Sequence, residues 1–437
     1  MSFLLQLGVL FAAIAVGARV GGVGRGAWGA AGVGVLVFVF GARAGEAPVD
    51  VMLIIIAAVT AASALEAAGG IDLLVRVAER AIRRDPRRIT FVAPLVTFAF
   101  TFCAGTSHVI YPLLPVIHEV ARENGVRPER PLSMAVIASQ IAITASPVSA
   151  ATSMMLVLLE KHDTGLGLLS LLAMTVPASL LAILVASLVQ SFVGVELRDD
   201  PEYQRRLAEG LIEPAGVVTK ELPAGAALSA ALFVVGVALV VLYGAARPWL
   251  LKRYPDVAHP MMPAVIQMVM LGVTAAVLLL CRPKADDLPR TNAAQAGTTA
   301  LVTILGLAWL GDTFMGANRA TLVGGLEGMA KAYPPLFAVG LFVASIFLLS
   351  QAATVGALMP LGFTLGLPAP VLVAMLPAVN GYFVLPNYGT LVAAITFDRT
   401  GTTGIGRWVL NHSFQLPGLL TAALTVAFGL VIARLFA

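Results

Sequence analysis

The stretch Ile143–Thr152, ITASPVSAAT, carries two serines, two threonines and a proline inside a run that is otherwise apolar. Proline lacks an amide hydrogen and its ring clashes with the preceding turn, so a helix meeting Pro147 here is predicted to break. A break leaves unpaired amides at the start of the second half-helix, and those amides, with the helix dipole, favour an anion. Serine, threonine and proline also occur in membrane helices as plain kinks. What raises this stretch above a kink is a matching one later in the chain.

Composition places both in a membrane. Of 437 residues, 59% are hydrophobic and 12% charged, with a mean hydropathy of +0.91, whereas soluble domains average about 25% charged. Apolar runs of roughly 18 to 20 residues recur, each long enough to cross a core of about 30 Å as a helix. The alternation over about ten residues that marks a membrane barrel is missing. The fold class is therefore an all-α polytopic membrane protein. Cys103 and Cys281 lie in apolar runs and read as packing residues, with no disulfide framework or metal cluster. The apolar stretch from Phe3 lacks a basic n-region and a clear cleavage site, so it is expected to stay as a span.

A net charge of +4 and a pI near 9.2 do not imply nucleic acid, because the basic residues fall in short loops between spans, the pattern that orients membrane proteins. GRGAWG, Gly24–Gly29, has the GxGxxG spacing of dinucleotide sites but follows no strand. Close helix packing is its expected use, and no cofactor is expected.

Candidate spans in the first half are Phe3–Gly17, Ala27–Phe40, Val49–Leu65, Ile89–Val120, Leu132–Leu159 and Leu166–Val195. Those in the second are Ala224–Gly244, Met261–Cys281, Thr298–Leu310, Pro334–Leu367, Val371–Phe397 and Trp408–Phe436. With the N-terminus outside, most of the 28 lysines and arginines fall inside, Arg19 and Arg25 among them, and none is expected deep in a span. Basic clusters bracket Ile89–Val120 on both sides, so this piece enters and leaves by one face, a hairpin over 89–121 with its tip at Cys103–Val109. Small polar residues at such a tip favour a re-entrant hairpin covered by protein or lining a wet cavity. Pro334–Leu367 repeats the plan from the opposite face, with its tip at Ser350–Gly356. The expected architecture is an inverted-topology repeat, 1–195 and 224–437, around a cytoplasmic linker, 196–223. Each half carries one re-entrant hairpin (89–121, 334–367) and one broken helix (132–159, 371–397).

Broken helices in corresponding positions of two inverted halves mark a transporter's binding site. The second is VLPNYGTLVAA, Val384–Ala394, with Pro386 as its breakpoint. Ser146, Ser149, Asn387 and Thr390 would add donors to the half-helix amides without a buried arginine. His108, in the first hairpin tip, either couples protons near neutral pH or caps a helix, and capping is the simpler role. Asn380 and Tyr382 read as supporting or packing residues.

The stretches PVDVMLIIIAAVTAASALEAAGGID, GTSHVIYPLLPVIHEVARENGVRPERP, IASQIAITASPVSAA and LPNYGTLVAAITFDRTGTT resemble the anaerobic C4-dicarboxylate transporter family of bacteria, the Dcu A/B type, across nearly the whole chain. The resemblance implies a multi-pass carrier of the bacterial inner membrane that takes up fumarate, malate or aspartate and sends out succinate. It further implies two hairpins and two unwound helices around the substrate, in an elevator-type homodimer. Where sodium-coupled relatives carry a Ser-Asn-Thr signature at the tips, this chain has Gly105, Thr106 and Ser107, and Ala352, Ala353 and Thr354, a departure that speaks against sodium coupling. The substrate-binding set so implied is Gly105, Thr106, Ser107, His108, Ser146, Pro147, Ser149, Ala353, Thr354, Asn387, Tyr388, Gly389 and Thr390.

The alternative within transport is a proton- or sodium-coupled symporter of another organic or inorganic anion. An intramembrane enzyme would need a partnered serine, paired aspartates or a zinc motif. Asp312 has no evident partner, and Ser107 and His108, adjacent in sequence, diverge on a helix.

Overall fold

A computed structural model of the protein describes residues 2–212, 222–254, 256–257, 259–385, 388–406 and 411–436. Among them the chain is helical, with a single isolated bridge between Ile405 and His412. Seven helical segments are long and apolar enough to cross a membrane: Val49–Ala67, Pro86–Ala104, Leu168–Gln190, Ala226–Arg247, Met262–Leu280, Asn292–Asn318 and Gln415–Ala433. Of the other expected spans, the first two are the continuous but shorter apolar helices near the N-terminus, and the rest are interrupted or turn back.

The first half runs α1 (Ser2–Val20), α2 (Gly24–Phe38), α3 (Val49–Ala67), α4 (Gly70–Arg84), α5 (Ile89–Ala104), α6 (Leu114–Glu123), α7 (Glu129–Ile143), α8 (Ala150–Lys161) and α9 (Leu168–Gln190). Of the arginine cluster before the first hairpin, Arg76, Arg80, Arg83 and Arg84 lie in α4, an amphipathic helix rather than a loop, and Arg87 and Arg88 in the 3-10 turn that follows it. Then α10 (Pro201–Ala208) opens the linker, followed by α11 (Ala226–Arg253), α12 (Met262–Leu280), α13 (Asn292–Ala332), α14 (Pro334–Leu348), α15 (Gln351–Thr364), α16 (Ala369–Met375), α17 (Gly389–Phe397) and α18 (Gln415–Ala433). The short span expected at Thr298–Leu310 is part of the 41-residue α13.

Both expected hairpins are helix-turn-helix pairs, and their turns share one construction. The first arm, α5, ends on Gly105 in the left-handed region; Thr106 is extended, and its hydroxyl accepts the His108 amide to start a 3-10 segment, Ser107–Leu113, that leads into α6. The other first arm, α14, ends on left-handed Leu349, and extended Ser350 accepts the Ala353 amide to start α15. The tips therefore match as Gly105–Thr106–Ser107 with Leu349–Ser350–Gln351. This is three residues earlier than the Ala352–Ala353–Thr354 match expected from sequence, since those residues lie within the first turns of α15.

Two interruptions complete the frame. The first is short: α7 stops at Ile143 and Ser149 caps α8, its hydroxyl accepting the Thr152 amide. The second is wider: α16 gives way to 3-10 turns at Leu376–Val379 and Gly381–Phe383, and helix resumes after Tyr388. Pro377 and Asn380 lie in this opening. Pro386, the breakpoint named from sequence, lies outside the described residues, as does Asn387.

The ends of these elements pair across the halves. His162, just past α8, stacks on Phe363 near the end of α15 with ring centroids 4.1 Å apart. His118 of α6 lies 3.3 Å from Asp398, the residue that closes α17. Glu129, the first residue of α7, donates its amide to Thr402 and accepts from Ser413, both in the segment after α17. The glycines of GRGAWG serve packing: a Cβ at Gly26 would lie 1.8 Å from the Val302 carbonyl, and one at Gly29 2.6 Å from Gly306. Cys103 and Cys281 are free.

Candidate functional site

The hairpin tips and the breaks meet in one polar region. Ser146 donates to the Phe102 carbonyl at 2.6 Å, and a Cβ on Gly105 would lie 3.0 Å from the Val148 carbonyl, so the first tip is pressed onto the first break around Pro147. Ser149 donates to the Ile143 carbonyl at 2.5 Å while capping α8. Both serine hydroxyls thus give their only proton to backbone and turn lone pairs elsewhere. The donors left in the first break are helix-start amides: those of Ala150 and Ala151 find no acceptor among the described residues, as the geometry of a helix N-terminus requires.

At the first tip, the Thr106 hydroxyl bonds the His108 ring at 2.8 Å, so His108 is held by the cap rather than supplying it. His108 packs at a tilt against Tyr111. Ser107 is buried, lies beside the Tyr388 hydroxyl, and its Oγ makes no well-formed hydrogen bond. Tyr388 caps α17 in an extended conformation, with its ring 4.5 Å from that of Tyr382. A Cβ on Gly389 would lie 2.5 Å from the Tyr111 hydroxyl, so this helix start lies directly against the Tyr111 side chain. Among the described residues the amides of Gly389 and Thr390, which open this half-helix, have no acceptor.

Sequence reasoning missed the side chains that join the halves. Gln140, in the last turn of α7, donates to the Thr390 hydroxyl at 3.2 Å. Gln351, at the second tip, donates to the Gln140 carbonyl at 2.8 Å, to the Tyr382 hydroxyl at 3.1 Å and, at closer range, to Asn380 Oδ1. All are buried, yet Gln140 Oε1, Gln351 Oε1 and Asn380 Nδ2 have no hydrogen-bond partner. A cavity of about 10 Å³ between Gln140, Asn380, Phe383 and Gly418 adjoins this cluster. The legible signal was a lone carboxamide in an apolar run, at ASQIA and again at SQAATVG. Ala353 and Thr354 stand one step back: both amides and the Thr354 hydroxyl bond to Ser350. The site thus joins Gly105, Thr106, Ser107, Ser146, Tyr388, Gly389 and Thr390 directly, with Ala353 and Thr354 behind the second tip.

Arg25, expected in an inner loop, lies in the first turn of α2, where its neighbour Gly26 packs against Val302 of α13. The ionisable group that neighbours it is Tyr388, at the start of α17. Among the described residues no group of three or more metal-ligating side chains occurs.

The segment after α17 locks the far end of this half-helix. Asp398 is buried and accepts from the Thr400 amide and hydroxyl, the Thr402 hydroxyl at 2.9 Å and the Thr403 amide at 2.6 Å. Burial opposes its charge, yet the neighbouring His118 ring and Thr400 hydroxyl hold its carboxyl at about 2.

The chain matches known proteins over its whole length. The family model described as anaerobic C4-dicarboxylate membrane transporter matches residues 2–437. The chain is 44% identical over 431 residues to the C4-dicarboxylate transporter DcuA of Escherichia coli strain K12, covering 98% of each. It is 40% identical over 427 residues to the DcuA of Wolinella succinogenes, covering 97% of this chain and 98% of that one. To the anaerobic C4-dicarboxylate transporter DcuB of Escherichia coli O6:H1 it is 38% identical over 448 residues, covering 100% and 99%. Among solved structures it is similar to Neisseria gonorrhoeae MtrF, described within a class of antimetabolite efflux pumps, at 13% identity and a TM-score of 0.48 over 90% of this chain and 82% of that one, too slight a likeness to bear on the site. With helical spans and bacterial relatives, this is a multi-pass protein of the bacterial inner membrane. The chain belongs to the anaerobic C4-dicarboxylate membrane transporter family.

Proposed function

We propose that this protein is a secondary transporter that exchanges C4-dicarboxylates, with fumarate, malate or aspartate entering and succinate leaving, and that it is not an enzyme. The single observation that carries the reading is the meeting of the two broken helices at Gln140 and Thr390, at the N-terminal start of α17. An anion is the ligand such a helix start accepts, without a permanent covalent or metal link. The curated relatives are named as C4-dicarboxylate transporters, which gives that anion its class.

The architecture proposed for this work is an inverted repeat, 1–195 and 224–437 about the linker 196–223, with re-entrant hairpins 89–121 and 334–367 and an elevator-type motion in a homodimer. Support comes from the matched construction of the two tips and from the crossed pairing of ends, α8 with α15 and α6 with α17. Asn387 remains a proposed donor beside Tyr388, and Ser146, Pro147 and Ser149 are proposed to shape the first half-helix start rather than to donate through their hydroxyls.

The test is counterflow of labelled succinate in proteoliposomes against a panel of C4 acids, with and without sodium and a pH gradient. Exchange that needs a C4 acid on the far side and ignores sodium supports the antiporter. Uphill uptake into liposomes free of counter-substrate, driven by sodium or protons, supports the symporter alternative. Thr390→Ala should slow exchange without loss of protein from the membrane.

A further inference from the structure

We propose that Arg25 is a fixed cationic contact for one carboxylate of the transported dianion and sets the preference for two charges over one, an inference that rests on the dicarboxylate reading above.

The position of Arg25 follows from backbone contacts. The clash distances at Gly26 and Gly29 fix the register of α2 on α13, with Gly26 opposite Val302. Val302 lies about 15 Å along α13 from Asn292 at 1.5 Å per residue. Asn292 is exposed, and its amide and side chain donate to the half-buried Glu66 just after Arg290. Arg25 therefore sits near half the depth of a hydrocarbon core of about 30 Å. Helix α1 confirms the register from the other side: Gln6 bonds Asn318, and Ala13 lies against Gly32 beside Leu310. The chain turns between α1 and α2 on two left-handed glycines, Gly21 and Gly22, at the same level. An open turn flanked by Arg19 and Arg25 at that depth requires a wet cavity, since hydrocarbon accepts neither bare backbone nor charge.

Among the described residues the guanidinium has no counter-ion. Arg25 is half-buried, its Nε is buried without a hydrogen-bond partner, and the ionisable group that neighbours it is the uncharged phenol of Tyr388. A cation in that setting is costly until an anion arrives. Tyr388 caps α17, whose first amides have no acceptor among the described residues, so a molecule with carboxylates at both ends can meet the helix start with one and the guanidinium with the other. A monoanion satisfies only one of the two.

The test uses the full-length protein in proteoliposomes. For Arg25→Met, the KM for succinate should rise by about tenfold or more, the range for losing a hydrogen bond to a charged group, with turnover at saturation little changed. The preference for succinate over its monomethyl ester should collapse, and Arg25→Lys should restore part of both. Independently of any variant, Arg25 of the wild-type protein should react with phenylglyoxal, read by mass spectrometry, and be shielded by saturating succinate. Wild-type KM and preference in Arg25→Met, or labelling of Arg25 that succinate does not change, would overturn the assignment while leaving dicarboxylate exchange intact. A wild-type chain with no dicarboxylate counterflow would remove the transport reading and this inference with it.

Discussion

In the first break, every hydroxyl serves the backbone: Thr144 donates to Ile141, Ser146 to Phe102, Ser149 to Ile143, and Thr152 reaches Ile143 as well. Around the second, Asn380 and Tyr382 meet Gln351 of the second tip and, through it, Gln140 of α7, and among the described residues one polar atom of each of the three carboxamides is buried without a partner. A hydroxyl has one proton, so once it is given to a carbonyl the group fixes a shape and offers an anion nothing. A carboxamide has two donors and an acceptor, and a buried one left short of partners is a standing free-energy cost that rearrangement or a ligand relieves. The comparison teaches that two breaks of similar sequence character divide the labour: the first is a strut against which the first hairpin tip rests, and the second is where the polar groups are free to respond.

The largest expected effect comes from cutting the hub of the second region. Gln351→Leu removes the donor shared by Asn380, Tyr382 and the Gln140 carbonyl, and each buried group so stranded costs about 1–3 kcal/mol. Thermal unfolding in detergent should show a loss of roughly 3 kcal/mol or more, with exchange falling steeply in protein that still reaches the membrane. A variant of normal stability and exchange would break the comparison, because the hub would then be ornamental.

Next comes the strut. Gly105 has φ of +71° and its Cβ would meet the Val148 carbonyl at 3.0 Å. The left-handed backbone alone costs a residue with a side chain about 1–2 kcal/mol, so Gly105→Ala should destabilise by roughly 2 kcal/mol and displace the tip from the break. Unchanged stability would mean that the tip has room to settle and is no strut.

How much of this was visible beforehand depends on the kind of signal. The membrane class, the two helix-turn-helix pairs and the location of the first break follow from apolar run length, bracketing arginines and one proline, all local features. The second break was placed at Pro386, whereas helix already fails at Leu376, because tertiary contacts from Gln351 and Ser345 to Asn380, Tyr382 and the Gly381 amide compete with helical bonding there. The match between tips slipped by three residues because Leu349 adopts a left-handed conformation that its sequence does not announce. Gln140 and Gln351 were passed over since a single amide in an apolar run gains meaning only when its partner, more than two hundred positions away, is known. Arg25 was misplaced for the same reason: its depth is set by glycine contacts with α13, a helix distant in sequence.

The far end of the second half-helix gives a smaller, pH-dependent effect. The Asp398 carboxyl is held at about 2 against an ordinary 3.8. A carboxyl depressed on folding contributes stability above its unfolded pKa and loses it as pH falls through the folded one. The shift corresponds to about 2 kcal/mol at 1.36 kcal/mol per unit. Unfolding followed from pH 6 downward should show wild-type protein losing that increment between about pH 5 and pH 2, while Asp398→Asn lacks the slope and starts less stable. Parallel profiles would show that the charge at the end of α17 is not what holds the segment after it.

The smallest effect is the sharpest probe of the division of labour. Ser146→Ala deletes the bond to the Phe102 carbonyl, a loss of about 1 kcal/mol, and Ser149→Ala deletes the cap of α8 for about the same. If the first break is a strut, both variants should shift unfolding slightly and leave the KM for succinate within about threefold of wild type, since 1 kcal/mol of differential binding would already exceed fivefold. A tenfold rise in KM from Ser146→Ala with unchanged unfolding would reverse the assignment: the hydroxyl would have to leave Phe102 and turn to the substrate during transport, and the first break would join the second as a binding surface.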